Sequence, residues 1–171
     1  MTLTLDNIKQ KIATFHQNGQ VINAAYWLLK KYNLKSENLK GFEFREKAKP
    51  DFILMTTEGD FGKPQIIRIP ENTFEFPLEL MLTLIAHEMV HVKQKTIKPY
   101  VLDKNEREWQ AYYEMNFNIL FPQVPEISNF HKKFFAQKGM EYYNRMGEGS
   151  ELQKKYAEQK KQVEDLIASL G

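Results

Sequence analysis

The sequence predicts an α+β protein that is mostly helical, with a small antiparallel sheet placed before its most apolar helix. Apolar residues recur at helical spacing over residues 5–32 and again from residue 77 onward. Between these regions, over residues 41–69, short apolar runs alternate with clusters of turn-forming residues, as in β-hairpins. The chain has 171 residues, of which 42% are apolar, so we expect one core of ordinary size.

The N-terminal region is predicted to be a helical hairpin over residues 5–32. Leu5, Ile8 and Ile12 recur at helical spacing, and a second helix is expected from about Val21 to Tyr32. The Asn18-Gly19 pair separates the two, because glycine readily adopts the backbone conformation of a tight turn. A hairpin of this kind covers one side of a core.

Three short strands are predicted to follow and to form the antiparallel sheet. They cover residues 41–45, 52–57 and 65–69, and residues 58–64 between the last two are rich in turn formers. The last strand leads directly into a helix predicted over residues 77–95. A sheet at this position offers an edge with which an extended peptide could pair.

The helix over residues 77–95 contains the sequence His87-Glu88-Met89-Val90-His91 within an otherwise apolar stretch. Residues four apart lie on one helix face, so the two imidazoles can bind one zinc ion. Glu88 stands at the edge of that face, where its carboxylate can take a proton from a zinc-activated water. The alternative is a chance match of core histidines, but polar groups buried in so apolar a helix need partners.

A hydrolytic zinc site usually has three protein ligands and one open position, so a third ligand is expected. The chain has no cysteine, and Gln94 and Ile97 occupy the places where a metzincin carries glycine and histidine. The remaining candidates are the acids on and before the next helix, predicted over residues 104–120. They are Asp103, Glu106, Glu108 and Glu114.

Periodicity favours Glu108 among these acids. Glu108 shares a helix face with the small residue Ala111, which allows this helix to approach the histidines closely. Asp103 and Glu106 have the spacing of an N-terminal capping box, which accounts for Glu106 without a metal. Glu114 points away from that face and is expected to be solvated. Periodicity alone leaves all four acids open.

The two segments His87-Glu88-Met89-Val90-His91 and Glu108-Trp109-Gln110-Ala111 resemble those of gluzincin-type zinc metallopeptidases, in their minimal single-domain form. The resemblance covers roughly residues 65–115. It implies a zincin-like fold, Zn²⁺ held by His87, His91 and Glu108, Glu88 as the general base, and a protein or peptide substrate. It also implies an oxyanion-stabilising side chain, for which Tyr112, His131 and Tyr100 are the candidates.

On this resemblance, residues 1–147 form the metallopeptidase domain. The remainder, residues 148–171, is expected to be an amphipathic helix that begins after the Gly147-Glu148-Gly149-Ser150 linker. Another helix is predicted over residues 130–146, with an interruption at Gly139. The apolar stripe of the last helix offers a surface for a protein partner or for self-association.

Composition limits the other expectations. The net charge of +2 does not favour a nucleic-acid partner, and no apolar run has membrane-spanning length. The N-terminus lacks a signal-peptide pattern, so we expect a cytoplasmic protein. Residues 51–126 hold twelve acidic and seven basic side chains, which suits a bound cation and slightly favours basic peptide substrates.

Two other functions are compatible with the sequence. One is a catalytically weak binding or assembly module that keeps the zincin fold, which the C-terminal helix favours and the intact Glu88 disfavours. The other is a DNA-associated protease of the SprT-like group, which the basic ends permit. No cysteine zinc ribbon or basic-aromatic stripe supports the second.

Overall fold

A computed structural model describes residues 2–171 and has the predicted α+β architecture. Its seven α-helices are α1 (Leu5–Gln17), α2 (Val21–Lys31), α3 (Leu78–Thr96), α4 (Lys104–Phe117), α5 (Asn129–Arg145), α6 (Glu151–Lys155) and α7 (Ala157–Ser169). The strands are β1 (Leu39–Arg45), β2 (Thr56–Glu58) and β3 (Gln65–Pro70), and a short 3-10 helix (Thr73–Glu75) precedes α3. Within residues 2–171, no helix is both long and apolar enough to cross a membrane.

The helices α1 and α2 pack on each other, as the predicted hairpin requires. Thr4 caps α1 by accepting a hydrogen bond from the Asn7 amide, and the Asn7 side chain bonds back to Thr4. Gly19, in the connecting turn, has a φ of +67°, a conformation that glycine adopts without strain. Apolar residues of both helices join the main core, with Leu28 fully buried.

The sheet has the strand order β1-β3-β2 and is mixed rather than antiparallel. β2 pairs antiparallel with β3 across the turn-rich segment, as predicted, but β1 pairs parallel with β3. The prediction was wrong for β1 because residues 46–55 pass from the end of β1 to the opposite edge of the sheet, which leaves the place beside β1 for β3. β2 is also shorter than the predicted strand over 52–57 and forms an edge of the sheet.

The motif helix α3 lies at the centre of the molecule, and fourteen of its nineteen residues are buried. Such a helix is apolar almost all round, so its few polar side chains need specific partners. The bounds agree with the prediction over 77–95 to within one residue. α3 contacts both β2 and α4, which therefore enclose its polar face.

The α5 helix continues through Gly139 without the predicted interruption. A Cβ atom on Gly139 would lie 3.3 Å from Cβ of Tyr112 and 3.7 Å from Cζ3 of Trp109. The absence of a side chain therefore allows α5 to approach α4 closely. The helix over 104–120 ends earlier than predicted, at Phe117, where Asn118 adopts a left-handed conformation with a φ of 48°.

The C-terminal helix is divided in two at Tyr156, which lies between α6 and α7 with non-helical angles (φ −104°, ψ 13°). This kink turns Tyr156 towards α4, where it forms a second hydrophobic cluster with Trp109, Tyr143 and Val163. The Trp109 indole donates a hydrogen bond to Gln159, at 3.1 Å. Part of the apolar stripe predicted to meet a partner is therefore packed within the chain.

Candidate metal centre

His87, His91 and Glu108 converge on one point between α3 and α4. The Nε2 atoms of the two histidines are 3.2 Å apart. The Glu108 carboxylate oxygens lie 3.3 Å from Nε2 of His87 and 3.5 Å from Nε2 of His91. Both histidines are buried, and the three side chains form a group that could hold a metal ion.

The other three acids that sequence reasoning left open lie outside this group. Asp103 caps α4 by accepting a hydrogen bond from the Glu106 amide, at 2.9 Å. The Glu106 carboxylate does not complete the capping box; it is buried and accepts hydrogen bonds from Tyr156 and Lys155, at 2.6 and 2.8 Å. Glu114 is also buried rather than solvated, because its carboxylate accepts backbone hydrogen bonds from residues 119–121 after the end of α4.

The hydrogen bonds of the histidine rings direct their second nitrogens towards the cluster. Nδ1 of His91 lies 2.7 Å from Oε1 of Gln94, and an amide oxygen can only accept, so this nitrogen carries the proton. Nδ1 of His87 lies 3.1 Å from the sulfur of Met115, a weak acceptor. The Nε2 lone pairs therefore face each other and Glu108, an arrangement that repels unless a cation or proton lies between them. The donor set fits a metal ion.

Gln94 and its partners form a buried hydrogen-bond chain that sequence reasoning did not find. The Gln94 amide nitrogen donates to the Arg107 carbonyl at 3.0 Å and to Oε1 of Gln110 at 2.9 Å. Gln110 in turn donates to the hydroxyl of Tyr156 at 2.6 Å. The signal available in the sequence was Gln94 itself, an amide side chain three residues after His91 on an apolar helix. Residues three apart share a helix face, so Gln94 can contact the His91 ring.

Glu88 stays outside the ligand cluster and lies in the adjoining cleft. Its Oε2 atom accepts a hydrogen bond of 2.7 Å from the hydroxyl of Thr57, on the edge strand β2. Burial raises the pKa of Glu88, although the nearby histidines and the Thr57 hydroxyl oppose the shift. No sequence pattern pointed to Thr57, because its role depends on how β2 is placed over α3.

The charges of the cluster favour an ionised Glu108. Burial alone would raise the pKa of this carboxyl, but a proton on Nε2 of His87 or His91 would form a hydrogen bond to it, and this interaction outweighs burial and holds the pKa well below its usual range. Burial alone would lower the pKa of His91, but the Glu108 and Glu88 carboxylates reverse this and raise it. A proton thus resides on His91 more readily than on an isolated imidazole, and a metal ion would displace it.

A cleft of about 320 Å³ opens beside the cluster and is bordered by α3, α4, α5 and residues 53–57. Tyr112 lines this cleft with its ring centroid 4.7 Å from that of His87, and burial raises the pKa of its hydroxyl. Tyr142, which sequence reasoning missed, also lines it and stacks on Tyr112 at 5.8 Å. His131 bonds to Ser128, Tyr100 packs on Phe61, and neither lines the cleft.

No family model matches the chain, and no curated protein or solved structure matches it either.

Proposed function

We propose that this protein is a zinc-dependent peptidase in which His87, His91 and Glu108 hold the metal ion and Glu88 is the general base. The observation that carries the proposal is the position of Glu88, which shares a cleft with the three ligands but stays outside their cluster. Two imidazoles and one carboxylate form the ligand set of several zinc hydrolases and leave one coordination position open. A purely structural zinc site would need only its ligands.

Glu88 has the environment of a proton acceptor. In such a site zinc supplies Lewis acidity, which acidifies water and polarises a substrate carbonyl. Thr57 fixes Oε2 of Glu88, while Oε1 accepts no hydrogen bond from residues 2–171 and is available for a proton. Because burial raises the pKa of Glu88, the carboxylate takes a proton from the attacking water more readily and then returns it to the leaving amine.

Tyr112 is the candidate for stabilising negative charge on the substrate oxygen. Its raised pKa keeps the hydroxyl protonated at neutral pH, so it can donate a hydrogen bond. Packing on His87 and Tyr142 restricts the ring to the cleft. We assign no such role to His131 or Tyr100, because both lie away from the cleft lining.

The edge strand β2 supports a peptide as the substrate. β3 covers only one side of β2, and no other strand of the described chain pairs with its outer edge. An extended peptide can add to such an edge through backbone hydrogen bonds. Thr57 on this strand contacts Glu88, so a peptide bound along the edge would pass beside the general base.

The test combines metal content with cleavage of a peptide library. The purified protein should contain about one zinc ion per chain by mass spectrometry, and Glu108→Ala should lose most of it. The exposed Glu141→Ala is a matched control that should retain the metal. Glu88→Gln should bind zinc but fail to cleave peptides that the wild-type protein cleaves. Full activity in Glu88→Gln, or no metal after zinc is supplied, would refute the proposal.

A further inference from the structure

Three cationic side chains line one part of the cleft, each close to a candidate metal ligand in sequence. Lys95 follows His91 by four residues on α3, and Lys104 precedes Glu108 by four residues on α4. Residues four apart are neighbours on a helix face, so each lysine lies one turn from a ligand. Arg107 directly precedes Glu108 and lines the same cleft.

None of these three cations forms an ion pair with a carboxylate of residues 2–171, and two of them are held in place by neutral groups. The Lys95 ammonium donates to the Gly59 carbonyl at 2.6 Å. The Arg107 guanidinium donates to two backbone carbonyls, those of Val101 and Leu102, at 3.0 and 2.7 Å. Carbonyl oxygens carry no net charge, so no carboxylate of the described chain in direct contact neutralises these cations.

Lys95 and Arg107 are also brought close to each other. Both lie 5.5 Å from the centroid of the Phe61 ring, on which they pack. Burial lowers the pKa of Lys95, and the positive charge of Arg107 lowers it further, against the weaker influence of Asp60 and Glu58. Two like charges this near to each other repel, and a bound anion would relieve the repulsion.

A different part of the cleft is apolar. Along α3 the lining residues follow the order Leu84, His87, His91 and Lys95, so an apolar side chain lies on one side of the ligands and a cation on the other. Ile53 and the neighbouring Leu54 and Met55 add to the apolar lining. The cleft is therefore suited to a substrate that has an apolar group at one end and a negative charge at the other.

We propose that the cleft selects a peptide carrying a carboxylate within one or two residues of the cleaved bond, bound by Lys95, Lys104 and Arg107. This inference rests on the proposed peptidase function. It differs from the expectation of basic peptides drawn from the acidic middle of the chain. The acids that line the cleft are Glu88 and Glu108, which the proposed function already employs, whereas the three cations have no carboxylate partner among residues 2–171 and can bind substrate.

The carboxylate has two sources, an acidic side chain or a free C-terminus, and four small probes separate them. They are N-acetyl-leucyl-glutamate, its C-terminal amide, N-acetyl-leucyl-glutamine and N-acetyl-leucyl-glutaminamide. We would titrate each into zinc-loaded Glu88→Gln protein and follow the backbone amide NMR signals of Lys95, Lys104 and Arg107. A charge-assisted hydrogen bond should make a carboxylate probe bind roughly 10- to 100-fold more tightly than the uncharged one.

Lys104→Glu, made in the same Glu88→Gln protein, tests whether the cations cause this preference. Lys104 is exposed, its side chain has no hydrogen-bond partner in the described chain, and an acid is favourable at the first residue of a helix, so the variant should fold. In the Lys104→Glu variant, a carboxylate probe should bind at most a few-fold more tightly than the uncharged probe. Lys35→Glu, an identical charge change at an exposed residue between α2 and β1, should leave the preference unchanged.

The outcomes separate this inference from the proposed function. Equal binding of all four probes would overturn it, as would a preference that Lys104→Glu leaves intact, since zinc alone would then select the carboxylate. Shifts of these signals by a single-stranded oligonucleotide but by none of the probes would overturn it in favour of a nucleic-acid ligand. Peptide cleavage by the wild-type protein, measured in parallel, tests the peptidase proposal independently.

Discussion

The hydrogen bond from Thr57 to Glu88 should set the pKa of the proposed general base. Replacing Thr57 by valine removes the hydroxyl and keeps nearly the same shape. The lost bond is 2.7 Å long and stabilises the ionised carboxylate, because a hydroxyl can donate to it. Its removal should therefore raise the pKa of Glu88 above the already elevated value that burial produces.

The magnitude follows from the energy of a hydrogen bond to a charged group, about 1.5–3 kcal/mol. One pKa unit corresponds to about 1.4 kcal/mol, so we expect an increase of roughly one to two units. At a fixed acidic pH the variant holds more of Glu88 in the protonated form, which cannot act as a base. The acidic limb of any peptidase pH profile should move to higher pH by the same amount.

The pKa can be measured without a substrate, by ¹³C NMR titration of the Glu88 side-chain carboxyl in zinc-loaded protein. Glu88→Gln identifies the signal, because it alone lacks the titrating group. Thr56→Val is the matched control: Thr56 lies on the same strand, but its hydroxyl is 3.4 Å from the Arg45 guanidinium, and it should leave the pKa unchanged. An unchanged or lower pKa in folded Thr57→Val protein would refute the reasoning.

Three further substitutions test the packing and the hydrogen bonds around the cluster. Gln94→Leu should weaken metal binding about 10- to 100-fold in chelator competition, whereas Gln94→Glu, which still accepts from the imidazole, should lose less. Equal losses of metal affinity in the two variants would contradict a role of Gln94 in orienting the His91 ring. Gly139→Leu should lower the free energy of unfolding in urea by at least about 1–3 kcal/mol through overpacking of α5 on α4, and the exposed Gln137→Leu should not. Tyr156→Phe should lower it by about 1–3 kcal/mol, because buried partners lose a hydrogen bond, and the exposed Lys154→Ala should have little effect. Unfolding energies equal to those of the controls would show that these contacts are not stabilising.

The parts of the fold that were predictable from sequence are those that local periodicity determines. α3 was placed to within one residue because its apolar residues and its Pro77 start are local signals. Glu108 was favoured because a face shared with Ala111 is a property of one helix. The direction of β1 depends on pairing across more than twenty residues, and no local pattern encodes it.

The errors at Gly139, Glu106 and Glu114 have a common physical origin. Glycine is a poor helix former, so Gly139 was expected to interrupt α5, but contact between two helices requires it there. Acids on helices are usually solvated, yet Glu106 meets Tyr156 and Glu114 meets the backbone of residues 119–121. In each case a partner distant in space or a later turn of the chain outweighs the local preference.

Two groups that can only accept hydrogen bonds, the Glu106 carboxylate and the Arg107 carbonyl, set the direction of every hydrogen bond in the buried chain that contains Gln94. The Glu106 carboxylate accepts from the Tyr156 hydroxyl, which must then accept from the Gln110 amide nitrogen. The Gln110 oxygen therefore accepts from Gln94, whose nitrogen also donates to the Arg107 carbonyl. Because the Gln94 nitrogen makes both of these bonds, the Gln94 oxygen faces His91, and the proton between them lies on Nδ1 of His91. The lone pair that His91 would offer to a metal ion is thus oriented by residues of two helices, α3 and α4, and by Tyr156 at the C-terminal kink.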